Sequence, residues 1–226
     1  MFDMGTDNLP TKTIPTRSHP PETDIGAISL YVHIPFCETK CPYCDFNTYT
    51  AIESLMPSYV SALKTEISLW VYRFGRPRVT TIFFGGGTPS YLPAADIESL
   101  LEHIRTSCDL DMVQEITLEC NPGDVTRDKL SSYLDCGVNR LSIGVQSFSD
   151  SLLRLLGRRH TSSDAIRSYK LAIESGFENV SIDLMYGLPN QTTQDWRTTL
   201  EIARGMEPAH ISMYCLTLED GTPMKK

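Results

Sequence analysis

The sequence lacks the long apolar run that a membrane-spanning helix requires, since no stretch approaches roughly 18 consecutive apolar residues. It is also short of positive charge, because 20 Lys and Arg stand against 28 Asp and Glu, for a net charge of −8. Nucleic-acid binding draws on clustered Lys and Arg, so this balance argues against a nucleic-acid partner. The first residues carry neither a basic segment nor an apolar core, and we therefore do not expect a secretory signal.

A disulfide framework is also missing. The chain has seven cysteines, whereas disulfide-rich proteins are usually shorter, secreted and evenly paired. We therefore expect a reduced protein in the cytoplasm. Three cysteines are clustered, and we predict that the other four are small buried hydrophobic residues: Cys108, Cys120, Cys136 and Cys215.

Strand-like and helical patterns alternate after a polar leader, residues 1–27, which is rich in proline and predicted to be disordered. Strands are predicted at 28–34, 79–84, 115–120, 140–145, 179–186 and 210–216. Crossovers of helical length between apolar strands indicate parallel βα units with a covered outer face. A full eight-fold barrel takes about 250 residues. Residues 28–226 are thus predicted to be one α/β domain, a partial (β/α)6 TIM-like barrel.

Polar or glycine-rich segments follow the predicted strands, at the end where such barrels carry their sites. The segments are a cysteine loop, GGGTPS (85–90), ECNPG (119–123), GVQSF (144–148), DLMYGLP (183–189) and LTLEDGTP (216–223). Six such segments on one rim exceed what turns alone require. They predict a composite site at this rim.

Cys37, Cys41 and Cys44 are spaced so that one short loop can direct three thiolates at one centre. Zinc usually takes four protein ligands, and the candidates for a fourth are His33, within a predicted strand, and Asp45. A four-iron cluster is commonly held by four cysteines, so three would leave one iron open to an external ligand. On these residues alone, zinc, unconnected thiols and a catalytic thiol stay open as alternatives.

Taken together, the motifs resemble the radical S-adenosylmethionine (SAM) superfamily. Within it they resemble the branch that contains oxygen-independent coproporphyrinogen III oxidases and HemW-type heme chaperones. The resemblance covers nearly all of residues 28–226 and rests on YVHIPFC, FFGGGTPS, LECNP, RLSIGVQSF, LGRRH, DLMYGLP and YCLTLEDGTP. It implies a [4Fe–4S] cluster on Cys37, Cys41 and Cys44, with SAM chelating the open iron. An electron from the cluster, supplied by an electron donor, would cleave SAM to a 5′-deoxyadenosyl radical.

The same resemblance implies the SAM contacts. It assigns the methionine end to Gly86, Gly87 and Thr88, and we expect Gly85, Gly86 and Gly87 to leave backbone N–H groups open to a closely approaching ligand. The other implied contacts are Tyr31, Glu119, Gln146, Arg158 and Asp183, together with Thr217, where the match is poorer. Arg158 would pair with a carboxylate. No catalytic side chain is assigned.

Position 46 separates the two functions within this branch. In the oxidases a further cysteine follows two residues after the third, whereas here the chain reads Cys44-Asp45-Phe46, as in the HemW group. The resemblance therefore implies a chaperone that binds heme and delivers it to heme-dependent proteins. The alternatives are radical decarboxylation of coproporphyrinogen III to protoporphyrinogen IX, and a zinc-bound barrel. We expect the heme-handling C-terminal region to follow Lys226, and its absence to expose the sixth strand.

Overall fold

Six parallel strands form one curled sheet in the computed structural model, which describes residues 26–226. The leader predicted at 1–27 lies outside the described residues, apart from its last two. The strands are β1 (Ala27–Ile34), β2 (Arg78–Gly86), β3 (Glu115–Cys120), β4 (Arg140–Gln146), β5 (Asn179–Tyr186) and β6 (His210–Cys215). Each strand pairs in parallel with the next one along the chain. The prediction of a partial (β/α)6 barrel is confirmed.

Helices connect successive strands and cover the outer face of the sheet. They are α1 (Met56–Phe74), α2 (Ala94–Ser107), α3 (Arg127–Asp135), α4 (Asp150–Leu155), α5 (Ser162–Glu174) and α6 (Thr193–Met206). Threonine hydroxyls cap three of them: Thr126 accepts from a backbone N–H of α3, and Thr161 and Thr192 form capping boxes with aspartates. These caps satisfy N–H groups that the first helical turn leaves unpaired, and so fix where the helices begin.

The hydrophobic core lies between the sheet and its helices. Alternate strand residues such as Ile34, Phe84 and Leu118 point outward to the helices and are fully buried. The intervening positions face the concave side of the sheet, where Glu119 and Asp183 are only partly buried. This alternation separates a stabilising outer layer from a polar inner face. Within the described part of the chain, no helix is long and apolar enough to cross a membrane.

The last strand departs from one sequence-based expectation. Cys108, Cys120 and Cys136 are buried as predicted, but Cys215 is exposed, so the prediction that it belongs to the core is wrong. The reason is its position on β6, an edge strand whose only partner in the described sheet is β5. Met213 and Tyr214 on the same strand are 54% and 57% exposed. The predicted exposure of the sixth strand is confirmed.

Candidate functional site

The carboxyl ends of the strands surround a cavity of about 400 Å³. Its walls are the cysteine loop after β1, the glycine segment after β2, the ends of β3 to β5 and the segment after β6. All the predicted cluster and SAM residues line it except one: Cys37, Cys41, Cys44, Gly86, Gly87, Thr88, Glu119, Gln146, Arg158, Asp183 and Thr217. Residues as far apart in the sequence as Cys37 and Thr217 thus share one cavity, as predicted from the ends of the strands.

Tyr31 is the exception among the predicted residues. Its side chain is 60% exposed and it does not line the cavity. Its ring stacks on Phe83 with centroids 6.0 Å apart, and its hydroxyl lies 3.1 Å from Nδ1 of His33. The geometry therefore places Tyr31 on the concave face of β1, beside the site rather than in its wall.

The three clustered cysteines lie on one wall of the cavity and are partly buried. A tight turn carries the second and third, since the Cys44 N–H donates to the Cys41 carbonyl at 3.0 Å. Each of the three sulfurs has a polar partner: the Thr88 hydroxyl is 3.5 Å from Cys37 Sγ, an Arg158 terminal nitrogen is 3.6 Å from Cys41 Sγ, and the Thr48 hydroxyl is 4.0 Å from Cys44 Sγ. Burial raises the pKa of the Cys37 thiol, and the bond from Thr88 opposes that shift.

This donor set fits an iron–sulfur cluster better than a zinc ion. Among the described residues, no three His, Cys, Asp or Glu side chains come close enough to hold one metal ion. One zinc ion would draw its thiolates to within roughly 4 Å of each other, whereas a cluster binds each thiolate through a different iron. His33, the suggested fourth ligand, has both ring nitrogens engaged, by the Tyr31 hydroxyl and by the Asn47 carbonyl. One iron would remain for an external ligand.

The glycine segment makes contacts that differ from those expected. The expectation that its N–H groups stay open to a ligand is wrong for Gly86 and Gly87. The Gly86 N–H donates to Glu119 at 3.1 Å, while the N–H groups of Gly87 and Thr88 donate at 2.8 Å to carbonyls at the start of the cysteine loop. A Cβ at Gly87 would lie 2.7 Å from the Phe36 carbonyl oxygen. Glycine is required here by the close approach of two backbone segments.

Two carboxylates face the cavity from β3 and β5. Burial raises the pKa of Glu119 to about 7, with a smaller contribution from the charge of Asp183 in the same direction. Burial also raises the pKa of Asp183, although hydrogen bonds from Ser212 and Ser142 oppose the shift. Ser142 Oγ lies 3.2 Å from both Asp183 oxygens. Two enclosed like charges favour a ligand that brings an ammonium group or hydroxyl donors.

Arg158 supplies one of the positive charges in the wall, which Lys40 and Arg159 also line. One of its terminal nitrogens donates to the Gly144 carbonyl at 2.9 Å. Its Nε–H is buried and has no acceptor among the described residues. As a cation in the cavity wall, the Arg158 guanidinium favours a ligand that carries a carboxylate.

The sequence reasoning missed three residues that shape this cavity. Ser142 holds Asp183, Lys40 holds the end of the cysteine loop, and Tyr43 packs in a small buried cluster beneath that loop. Ser142 could have been predicted from the sequence. The period of two along β4 places it on the inner face, opposite Glu119 in the register. The positions of Lys40 and Tyr43 depend on how the cysteine loop folds back, which cannot be predicted from hydrophobic periodicity.

Comparisons with known proteins agree with this geometry. Residues 31–203 match the model of the radical SAM superfamily. "Heme chaperone HemW" of Escherichia coli (strain K12) is 45% identical over 198 residues, which cover 86% of this chain and 52% of that protein. The protein of the same name from Bacillus subtilis (strain 168) is 41% identical over 198 residues, with the same coverage. The chain therefore spans about half the length of these relatives.

The solved structure of E. coli coproporphyrinogen III oxidase (HemN), described as a radical SAM enzyme, is also similar. It is 32% identical, with a TM-score of 0.78, and the match covers 87% of this chain and 48% of that one. Because the family model matches well over half of its residues, this chain belongs to the radical SAM superfamily.

Proposed function

We propose that this chain is the cluster-binding and SAM-binding part of a heme chaperone. In this proposal Cys37, Cys41 and Cys44 hold a [4Fe–4S] cluster, and SAM occupies the adjoining cavity. The whole protein would bind heme and deliver it to heme-dependent proteins, in the cytoplasm, with an electron donor for the cluster. The observation that carries the site assignment is the placement of three thiols on one wall of a cavity whose other walls hold enclosed carboxylates and the Arg158 side chain.

The residues of the cavity have complementary tasks in this proposal. When bound, the cluster supplies the electron that cleaves the sulfonium of SAM. Donors to the cysteine sulfurs, from Thr88 and Arg158, would stabilise their negative charge and tune the cluster. The amino group and ribose hydroxyls of SAM would pair with Glu119 and Asp183. Its carboxylate would pair with the positive charge of Arg158.

The assignment as chaperone rests on the relatives and on Phe46. The curated relatives named for heme chaperone activity are 41% and 45% identical to this chain. Phe46 is 64% exposed on the cysteine loop, at the position where the resemblance places a cysteine in the oxidases. The second candidate is the oxidase reaction, which is favoured by the similarity in fold to HemN.

The two functions give different products from one full-length protein. The protein should be reconstituted anaerobically with iron and sulfide, and then divided between two assays. In the first, heme is titrated in, and its Soret band is followed during transfer to an apo-hemoprotein. In the second, coproporphyrinogen III, SAM and a reductant are supplied, and protoporphyrinogen IX is measured.

We expect retention and transfer of heme without porphyrinogen turnover. Stoichiometric formation of protoporphyrinogen IX would establish the oxidase instead. Analysis of the reconstituted protein for metal and sulfide covers the remaining alternative, since bound zinc without sulfide would remove both radical SAM functions. A Cys37→Ala variant is the control for cluster-dependent signals, since it removes one proposed ligand.

A further inference from the structure

The returning arm of the cysteine loop, residues 46–49, is held by side chains that precede it in the sequence. The Lys40 ammonium donates to the Phe46 and Thr48 carbonyls, both at 3.1 Å. His33 Nε2 lies 2.9 Å from the carbonyl of Asn47, which lies between them. Three consecutive carbonyls of one arm are thus bound by two side chains. This arrangement is far more specific than a solvated lysine on a surface.

Backbone bonds close the base of the same loop. The Cys37 N–H donates to the Tyr49 carbonyl at 2.9 Å, and the Tyr49 N–H donates to the Pro35 carbonyl at 2.8 Å. The span above this base carries Cys41 and Cys44. Its first part is also held from outside, since the Met224 N–H donates to the Pro42 carbonyl at 2.9 Å and Tyr43 packs against the buried cluster beneath the loop. Residues 45–47 are exposed, so apolar packing does not fix the arm.

We infer that Lys40 is a positioning residue that closes the segment 40–48 around Cys41 and Cys44 before any cluster is bound. This inference rests on the proposed role of the cysteines as cluster ligands. Hydrogen bonds from an ammonium are stronger than neutral ones, and lysine carries three donors on a flexible stem. One ammonium can therefore reach two carbonyls that are not adjacent in the chain. The protein itself would hold the thiols in position before the cluster binds, and the metal would not have to draw them together.

The choice of lysine fits its place in the loop. Lys40 immediately precedes Cys41, so its backbone moves with the second cysteine, whereas its ammonium is attached beyond the third. The segment from 40 to 46 is therefore a ring closed by one side chain. Opening that ring would free the arm that follows Cys44. Cys44 would then be held by its N–H bond to the Cys41 carbonyl and by the 4.0 Å contact of its sulfur with the Thr48 hydroxyl. It would leave Cys37 unaffected, because the base has its own bonds.

Hydrogen exchange in the full-length apoprotein tests the inference without any cluster. We compare Lys40→Met, which keeps the apolar stem, with Lys40→Arg, which keeps a multidentate cation. The matched control is Lys170→Met, which removes the same charge from the exposed face of α5. In Lys40→Met we expect the amides of residues 41–48 to exchange at least about tenfold faster, from loss of charged hydrogen bonds. Lys40→Arg should restore most of the protection, and the control should match the wild type.

A second readout concerns the loaded protein. With excess iron and sulfide, Lys40→Met should still assemble a cluster, because all three cysteines remain. It should lose that cluster to a chelator several-fold faster than the wild type does, and Lys40→Arg should be intermediate. The electron paramagnetic resonance spectrum of its reduced cluster should be broader, as expected for a less uniform loop.

Two outcomes would overturn the inference. One is that the loop amides of Lys40→Met exchange as slowly as those of the wild type. The other is an equal acceleration in β3, which would make Lys40 a general stability residue rather than a positioning one. The proposed function fails separately, since a wild-type protein that takes up no iron and sulfide would refute the cluster while leaving the exchange result for Lys40 intact.

Discussion

Replacing Glu119 with glutamine should make the apoprotein more stable at neutral pH while it weakens the binding of SAM. The carboxylate lies in the cavity wall and accepts the Gly86 N–H at 3.1 Å, and no basic side chain of residues 26–226 is bonded to it. Glutamine has nearly the same shape and keeps an oxygen for that N–H. The variant therefore removes the charge and little else.

The size of the expected stability difference follows from the pKa of Glu119. Burial raises the pKa of Glu119 from 4.5 to about 7. A difference of that size corresponds to about 3 kcal/mol, at about 1.4 kcal/mol for each pH unit. Because the folded pKa is the higher one, ionisation opposes folding. The cost is absent below about pH 4.5, grows as the pH rises towards 7, and is constant above that.

Urea unfolding of the wild-type and Glu119→Gln apoproteins at pH 4.5, 6 and 8 measures this difference. Between pH 4.5 and 8, the free energy of unfolding of the variant should rise relative to that of the wild type by up to about 3 kcal/mol. This is an upper limit because the Glu119 side chain is partly exposed. In the wild type, SAM affinity should rise with pH through about 7 as Glu119 ionises, and this rise should be missing in the variant. A stability difference that does not change with pH would refute the reasoning.

Three further variants probe other parts of the site. Cys41→Ala should lose most of the visible absorption of the reconstituted cluster while far-ultraviolet circular dichroism shows a folded barrel, and the buried Cys108→Ala should keep that absorption. Gly87→Ala should lower the free energy of unfolding by about 1–3 kcal/mol, because its Cβ would overlap backbone oxygens. Gly205→Ala, with open space around its Cβ within α6, should instead raise the free energy of unfolding by about 0.5–1 kcal/mol. Thermal unfolding of the two glycine variants and the wild type measures both differences. Arg158→Lys should lower the reduction potential of the cluster in a titration without SAM, because the bond to a cysteine sulfur is lost.

The elements of the fold could be predicted because their signals are local. The hydrophobic periods locate all six strands to within two residues at each end. Residues of the site that are remote in sequence could also be predicted to meet, since parallel strands all present their carboxyl ends at the same edge. Cys215 shows where local signals fail. An apolar run looks the same on an edge strand as on a central one, and only the missing neighbour makes the residue exposed.

The triglycine segment shows a second limit of the sequence. Three glycines after a strand predict close approach of something to the backbone, but they do not say what approaches. In this structure it is the cysteine loop, because the N–H groups of Gly87 and Thr88 donate to carbonyls of Ile34 and Phe36. These two bonds continue the pairing of β1 and β2 beyond the strand ends. They also set the Thr88 hydroxyl against the sulfur of Cys37.

The glycine segment and the cysteine loop are therefore one structural unit, although about 50 residues separate them in the sequence. A side chain at position 87 would push the first cysteine away from its hydroxyl donor, so its effect would reach the cluster site as well as the stability of the sheet. The first cysteine is thus positioned by the sheet, through this pairing, while the second and third depend on the ring that Lys40 closes. Gly87→Ala and Lys40→Met should accordingly disturb different thiols. Chemical labelling of the individual cysteines in the two apoproteins separates them: Cys37 should change its reactivity in the first, and Cys41 and Cys44 in the second.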